Sequence, residues 1–289
     1  MITEALYMLT DDKLLSRFGK SRVELIRITN AHTLDVQAWL SSRSPCAEKF
    51  SGVGIRASST GIKVPLLNLA LGCNFPEGTS EADIQAEVRV VKEFFAKRNV
   101  PWYWWMNIQP SPANIGQILK KDGFVTDDDP LPAMIAPISQ DIVALPSYPK
   151  DIQVWRAESI EDLKYASTIR RIAFGFAEGE ATTYFEDMSS DWLNDSSRAR
   201  LFLAGIEKSA PVSIGAVIHG AGIPGIYVMA TMPKYHRQGY GKAIMRKLLT
   251  EAKSFGGDYI ALTASEAGFG LYSKFGFVHL CGFDFYWLP

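Results

Sequence analysis

The run Gly225-Ile226-Tyr227-Val228-Met229-Ala230-Thr231, continued by Met232-Pro233-Lys234-Tyr235-His236-Arg237-Gln238-Gly239-Tyr240-Gly241-Lys242-Ala243, decides how this chain folds. Its first part is apolar and strand-like, its second part is a turn with two glycines, and residues 243–255 carry a helical period. A strand that ends in a glycine-bearing turn and opens a helix presents amides without intrahelical partners. The helix dipole adds partial positive charge there. Glycine lets the backbone come close to a phosphate where a Cβ would collide. The stretch therefore reads as a site for a phosphorylated ligand.

Two familiar phosphate-binding motifs fail on spacing. A dinucleotide fingerprint needs G-x-G-x-x-G, but Ile244 stands at the third glycine position after Gly239-Tyr240-Gly241. A P-loop needs G-x-x-x-x-G-K-[ST], and here His236 replaces the first glycine and Ala243 the magnesium-binding hydroxyl. What remains is His236-Arg237-Gln238-Gly239-Tyr240-Gly241 between a strand and a helix. A second ordered segment follows downstream, Ser265-Glu266-Ala267-Gly268-Phe269-Gly270-Leu271-Tyr272-Ser273-Lys274-Phe275-Gly276-Phe277.

Together the two motifs resemble the GNAT family of acyl-CoA-dependent N-acyltransferases, over roughly residues 151–289. The resemblance implies that the backbone of His236, Arg237, Gln238, Gly239, Tyr240, Gly241 and Lys242 cradles the pyrophosphate of acetyl-CoA. It also implies that Met229, Ala230 and Thr231 hold the pantetheine arm through their main chain, one amide polarising the thioester carbonyl. Tyr272 then stands near the sulfur as acid for the leaving thiolate, since a tyrosine of ordinary pKa is protonated at neutral pH. His236 departs from the usual Arg or Gln, and Ser265 stands where many members carry Asn. The implied reaction is direct acetyl transfer to a small-molecule or peptide amine, with no metal. The alternative is an acyl-CoA-binding or regulatory module without catalysis.

A base is harder to name, because Gly225–Thr231 carries no carboxylate. Glu178, Glu180 and Glu186 lie in a polar segment that the resemblance places beside the acceptor cleft, and His219, at a strand end next to a glycine turn, is a further candidate because histidine is a common general base. Glu180 is the candidate taken forward, beside relay of the proton through water.

Punctuation by Asp127-Asp128-Asp129-Pro130-Leu131-Pro132 and Leu145-Pro146-Ser147-Tyr148-Pro149 places a domain boundary near residue 148. In the second half, Ser159 and Asp162 form a capping-box pattern for a helix ending near Phe174, and Phe277 to Trp287 read as a final strand. The first half reads as a worn copy. Laying Phe124 on Phe277 sets Leu119 against Tyr272, and strand, helix, aromatic strand Trp102–Met106, helix and Gly-Phe recur in order. No Gly-x-Gly turn accompanies them, and Leu119 cannot donate a proton. The expected architecture is α+β with tandem GNAT-like domains, each a mostly antiparallel sheet flanked by helices: 1–148 degenerate, 149–289 acyl-CoA-binding. The first half is read as a wall of the acceptor cleft or as a homodimer contact, and both stay open here.

Composition limits the other classes. The 289 residues are 47% hydrophobic and 21% charged, which is globular. Thirty basic against 31 acidic residues argue against nucleic acid or an anionic membrane as the main partner. Cys46, Cys73 and Cys281 make no metal spacing or disulfide framework, so a reducing, cytoplasmic setting is expected.

Overall fold

The computed structural model describes residues 8–127, 129–138, 145–177, 179 and 183–289. In chain order they form helices α1 (Asp11–Phe18) and α2 (Arg22–Leu40), strands β1 (Glu48–Ser51), β2 (Arg56–Ser59) and β3 (Asn68–Leu71), helix α3 (Glu81–Ala96), strand β4 (Tyr103–Trp105), helix α4 (Ile115–Lys121) and strands β5 (Val125–Thr126), β6 (Leu131–Pro137) and β7 (Gln153–Arg156). Helices α5 (Ile160–Phe174), α6 (Tyr184–Asp187) and α7 (Ser189–Trp192) follow, then strands β8 (Ala199–Gly205), β9 (Ser213–Gly220) and β10 (Ile223–Thr231), helix α8 (Tyr240–Ala252), strand β11 (Tyr259–Thr263), helix α9 (Glu266–Lys274) and strands β12 (Val278–Phe283) and β13 (Phe285–Trp287). Among the described residues no helix is long and apolar enough to cross a membrane.

Two compact units result: Met1–Thr33 with Pro132–Cys281, and Leu34–Leu131 with Gly282–Pro289. The first holds a seven-stranded sheet in the order β12-β6-β11-β10-β9-β8-β7, the second a six-stranded sheet in the order β1-β2-β3-β4-β13-β5. The pairs β10·β11 and β3·β4 are parallel. The series β3-α3-β4-α4-β5 repeats as β10-α8-β11-α9-β12, which makes the fold a tandem of GNAT-like α+β domains. In both sheets one more strand is inserted between the last two of the series: β13 between β4 and β5, β6 between β11 and β12. Each sheet thus takes that strand from the other half of the sequence.

This exchange changes two readings of the sequence. Residues 131–137, which run from the first proline-punctuated stretch toward the second, form a buried strand of the second sheet. Pro132 and Pro137 sit near its ends and leave Ala133–Ala136 fully covered in between, so few ladder donors are lost. The single final strand expected over Phe277–Trp287 is two strands that join different sheets.

Local signals explain the elements that carry the site. Ser159 and Asp162 form the capping box, with Ser159 Oγ accepting from the Asp162 amide at 3.1 Å and Asp162 Oδ2 from the Ser159 amide at 3.1 Å. Gly175, at φ 69°, ends α5. In α8, Tyr240, Ala243, Ile244, Met245, Leu248, Leu249 and Ala252 are buried on one face, where they share a core with Ile226, Leu262, Phe269, Tyr272 and Phe277. In the second unit Trp102 stacks on Phe95 of α3 at 4.3 Å, so the tryptophan run is core and not a ligand platform.

Candidate functional site

β10 is irregular at the point where the sequence places the donor. Its register with β9 shifts between Tyr227 and Ala230, and Val228 adopts φ 47°, a conformation that β-branched residues rarely accept. Its parallel pairing with β11 covers Gly225↔Ala261 and Ile226↔Leu262. That pairing ends at Ile226, two residues before Val228, and β11 itself ends at Thr263. Ser213 fixes the end of the strand by donating to Ala230 O at 2.9 Å and sharing a hydrogen bond with Thr231 Oγ1 at 2.7 Å. Met229 directs its side chain into the core, so any ligand contact there belongs to the main chain.

The turn that follows is braced by its own side chains. His236 Nε2 hydrogen-bonds Thr231 O at 2.8 Å, and Gln238 Nε2 donates to Lys234 O at 3.0 Å. Arg237 at φ 64° and Gly239 at φ 102° reverse the backbone, and alternation of this kind gathers successive amides into a concave anion site. Among the described residues the amides of Arg237, Gln238, Gly239, Tyr240, Gly241 and Lys242 have no acceptor. The first intrahelical bond is Ala243 N to Gly239 O at 3.0 Å. No side chain caps α8 and no acid stands in its first turn.

The two glycines have different reasons. Gly239 is required by the protein itself, because a Cβ there would lie 2.6 Å from Pro149 Cδ and φ is positive. At Gly241 a Cβ would touch only Leu271 Cδ2, at 3.4 Å, and the conformation is helical. Glycine inside a helix costs about 1 kcal/mol relative to alanine, so the protein's own packing does not explain Gly241.

Tyr272 lies on α9 in the core that also contains Tyr240 and Ala243 of α8. Its ring covers Gly268, where a Cβ would sit 2.7 Å away, and meets Phe277 edge-on at 6.3 Å. Burial pushes its pKa up to about 12. It therefore stays a hydrogen-bond donor across the whole physiological range. Ser265 Oγ accepts from the Gly268 amide at 3.2 Å, which makes it the N-cap of α9.

The candidate bases fare differently. Glu178 and Glu180 lie outside the described residues. Glu186 accepts a hydrogen bond from Ser167 Oγ. His219 pairs with Pro224 at the hairpin end of β9, six residues before Ala230 along β10, a separation of about 20 Å. Its ring lies parallel to Phe255 at 5.9 Å. His219 is thus removed from the site, and its position beside a turn in the sequence gave no sign of which end of the sheet it would occupy. Two features escaped sequence reading: the Val228 bulge, for which single residues give no signal, and Arg170. The latter left a partial signal, because Leu163, Ala166, Ser167 and Arg170 fall at i, i+3, i+4 and i+7 on what the structure shows to be the buried face of α5. Among the described residues no group of His, Cys, Asp and Glu is arranged to hold a metal.

The corresponding turn of the other unit is built against an anion. Ser80 Oγ caps α3 by accepting from the Asp83 amide at 3.2 Å, and Glu81 and Asp83 put negative charge in the first turn. Beyond the parallel pair β3·β4 the chain stays joined: Phe75 N donates to Ser111 O at 2.9 Å, Ser111 N to Cys73 O at 2.8 Å, and Asn107 Nδ2 to Asn74 Oδ1 at 2.8 Å. Leu119 is fully buried at the position equivalent to Tyr272.

Residues 167–277 match the acetyltransferase (GNAT) family. The fold is shared with a GCN5-related N-acetyltransferase from Kribbella flavida at 16% identity and TM-score 0.68, covering 91% of this chain and 95% of that one. It is also shared with a tandem GNAT protein from the clavulanic acid biosynthesis pathway at 14% identity and TM-score 0.58, covering 87% and 86%. A GCN5-related N-acetyltransferase from Sphaerobacter thermophilus aligns at 12% identity and TM-score 0.58, covering 83% and 75%. No curated protein matches the chain.

Proposed function

We propose, for a chain whose residues 167–277 match the acetyltransferase (GNAT) family, that the protein transfers an acyl group, acetyl first among them, from acyl-CoA to an amine. The observation that carries this reading is the row of unpartnered amides from Arg237 to Lys242, on a helix with neither cap nor acid, set against the capped and acidic α3. These amides would hold the diphosphate, the edge of β10 over Tyr227–Thr231 the pantetheine arm. When bound, the thioester supplies the activated acyl group.

The chain's own contribution is positioning and hydrogen bonding. Main-chain amides beside the Val228 bulge, at Met229 and Ala230, are the candidates to face the acyl oxygen, where developing negative charge is best stabilised by fixed donors. Tyr272 keeps its proton and donates to the sulfur. Complete transfer from a tyrosine at about 12 to a thiolate of ordinary basicity is uphill by roughly 5 kcal/mol, a gap that burial of the sulfur narrows. Tyr272 therefore acts as a hydrogen-bond donor more than as an acid. The proton of an arriving ammonium leaves through water or Glu180.

Two observations favour a second reading, an acyl-CoA-binding module without turnover. Glu186 is engaged with Ser167, and His219 sits at the far end of the strand. A screen of amines with acetyl-CoA, read as thiol release, separates the two: turnover with any amine establishes the enzyme. Acetyl-CoA binding without turnover across amines, peptides and aminoglycosides establishes the module.

A further inference from the structure

Arg170 sits where α5 presents its apolar face. It is 7% exposed, and its Cζ lies 4.3 Å from the centroid of Tyr184, 5.6 Å from that of Phe176 and 5.8 Å from that of Phe185. Its Nε and Nη1 are sealed from solvent and have no acceptor among the described residues. Glu186, next to Phe185 in sequence, gives its carboxylate to Ser167. Burial lowers the pKa of Arg170, with Tyr184 opposing, yet a guanidinium keeps its charge in proteins. Ring faces attract a cation but offer no lone pair in the plane of the N–H groups. A charge enclosed in this way is costly until an anion meets it.

The enclosure selects the anion. Arg170 is the one cation over these three rings among the described residues, so a single negative charge balances it and a doubly charged phosphate does not. A planar carboxylate matches the guanidinium fork with two parallel hydrogen bonds. The two edges able to hold it, Nε–Nη2 and Nη1–Nη2, each include one of the two buried nitrogens that lack an acceptor among the described residues, so either edge leaves a donor for the carboxylate to satisfy. α5 packs against β9 and β10, and β10 carries the Val228 bulge. We propose that Arg170 binds a carboxylate on the acceptor, so that the acceptor is an amino acid or another amine bearing one carboxylate. The word acceptor rests on the acyltransferase reading, whereas the carboxylate site stands on the surroundings of Arg170 alone.

The test uses the full chain, with thermal melting and calorimetry against glycine, β-alanine, γ-aminobutyrate and lysine, each beside its primary amide, and acetyl-CoA in a separate arm. At least one amino acid is expected to bind wild type and to lose at least about 30-fold in affinity as its amide, the scale of truncating one partner of a buried charge pair. Arg170→Met should erase that difference, Arg170→Lys should keep part of it, and both should retain the acetyl-CoA response. Without ligand, Arg170→Met should melt no lower than wild type, because the charge removed has no partner to strand. Equal binding of acids and amides by wild type overturns the proposal. So does an unchanged preference in Arg170→Met, or a ligand-free melting point several degrees lower, which would show that the charge already has a partner within the protein. An acid-over-amide preference without any acetyl-CoA response would sink the donor reading and leave the carboxylate site standing.

Discussion

Gly241 of α8 lies against Leu271 of α9: a Cβ added at Gly241 would be 3.4 Å from Leu271 Cδ2, beside Tyr272 in the chain. This contact ties the second residue of an uncapped helix to the segment carrying the hydroxyl proposed to face the sulfur. It leaves room for an alanine, so substitution at this position separates ligand effects from folding effects.

Gly241→Ala should leave the protein folded and raise its stability by up to about 1 kcal/mol through helix propensity. Acetyl-CoA affinity should fall about tenfold or more, a loss of roughly 1.4 kcal/mol. Gly239→Ala should instead lower stability by about 1–3 kcal/mol, because φ is 102° and Pro149 Cδ would be 2.6 Å away. Chemical denaturation and calorimetry on the two variants check this opposition.

Tyr272→Phe should cut kcat about 100-fold, the scale of removing one preorganised donor, with little change in KM for acetyl-CoA. Since its pKa is pushed up to about 12, Tyr272 does not titrate at working pH. The pH–rate profiles of wild type and Tyr272→Phe between pH 6 and 10 should therefore have the same shape and differ in height. The same shift acts on stability: above pH 10 the unfolded tyrosine ionises while the buried one does not, so folding should weaken there.

Ser159→Ala should cost about 1 kcal/mol, measured by urea unfolding, because it removes half of the capping box. Burial alone would raise the pKa of Asp162, but hydrogen bonds from the Glu158 amide, the Ser159 hydroxyl and the Trp155 indole hold it below the ordinary carboxylate range. A depressed carboxylate stabilises above its unfolded pKa, near 3.9, and that contribution is lost as pH falls through the folded value. Asp162→Asn should therefore flatten the acid limb of the stability curve below about pH 4.

Much of this was legible in the sequence because it is local. The Ser159–Asp162 box, the period of α8 and the turn before it are set by neighbours a few residues apart. The offset that laid Phe124 on Phe277 also holds, since each immediately precedes a matching strand, β5 or β12. The exchanged strands β6 and β13 were hidden because pairing partners over 120 residues away leave no periodic mark. Prolines near the ends of β6 imitated a linker. Arg170 was missed for the opposite reason, since a charged side chain on an apolar face reads as an exception until its burial is seen.

The unit built on β3 and β4 should contribute no donor site, because Ser80 and Asp83 occupy the start of α3 and Ser111 and Asn107 close the chain beside it. Titration of the full chain should give one acetyl-CoA per chain. A second equivalent would show that these internal bonds yield to ligand.

The most direct measurement is a crystal structure of the full chain with acetyl-CoA. The diphosphate oxygens should lie within hydrogen-bond distance of amides between Arg237 and Lys242, with the sulfur facing Tyr272. A nucleotide bound elsewhere, with those amides turned to water, would contradict the donor reading.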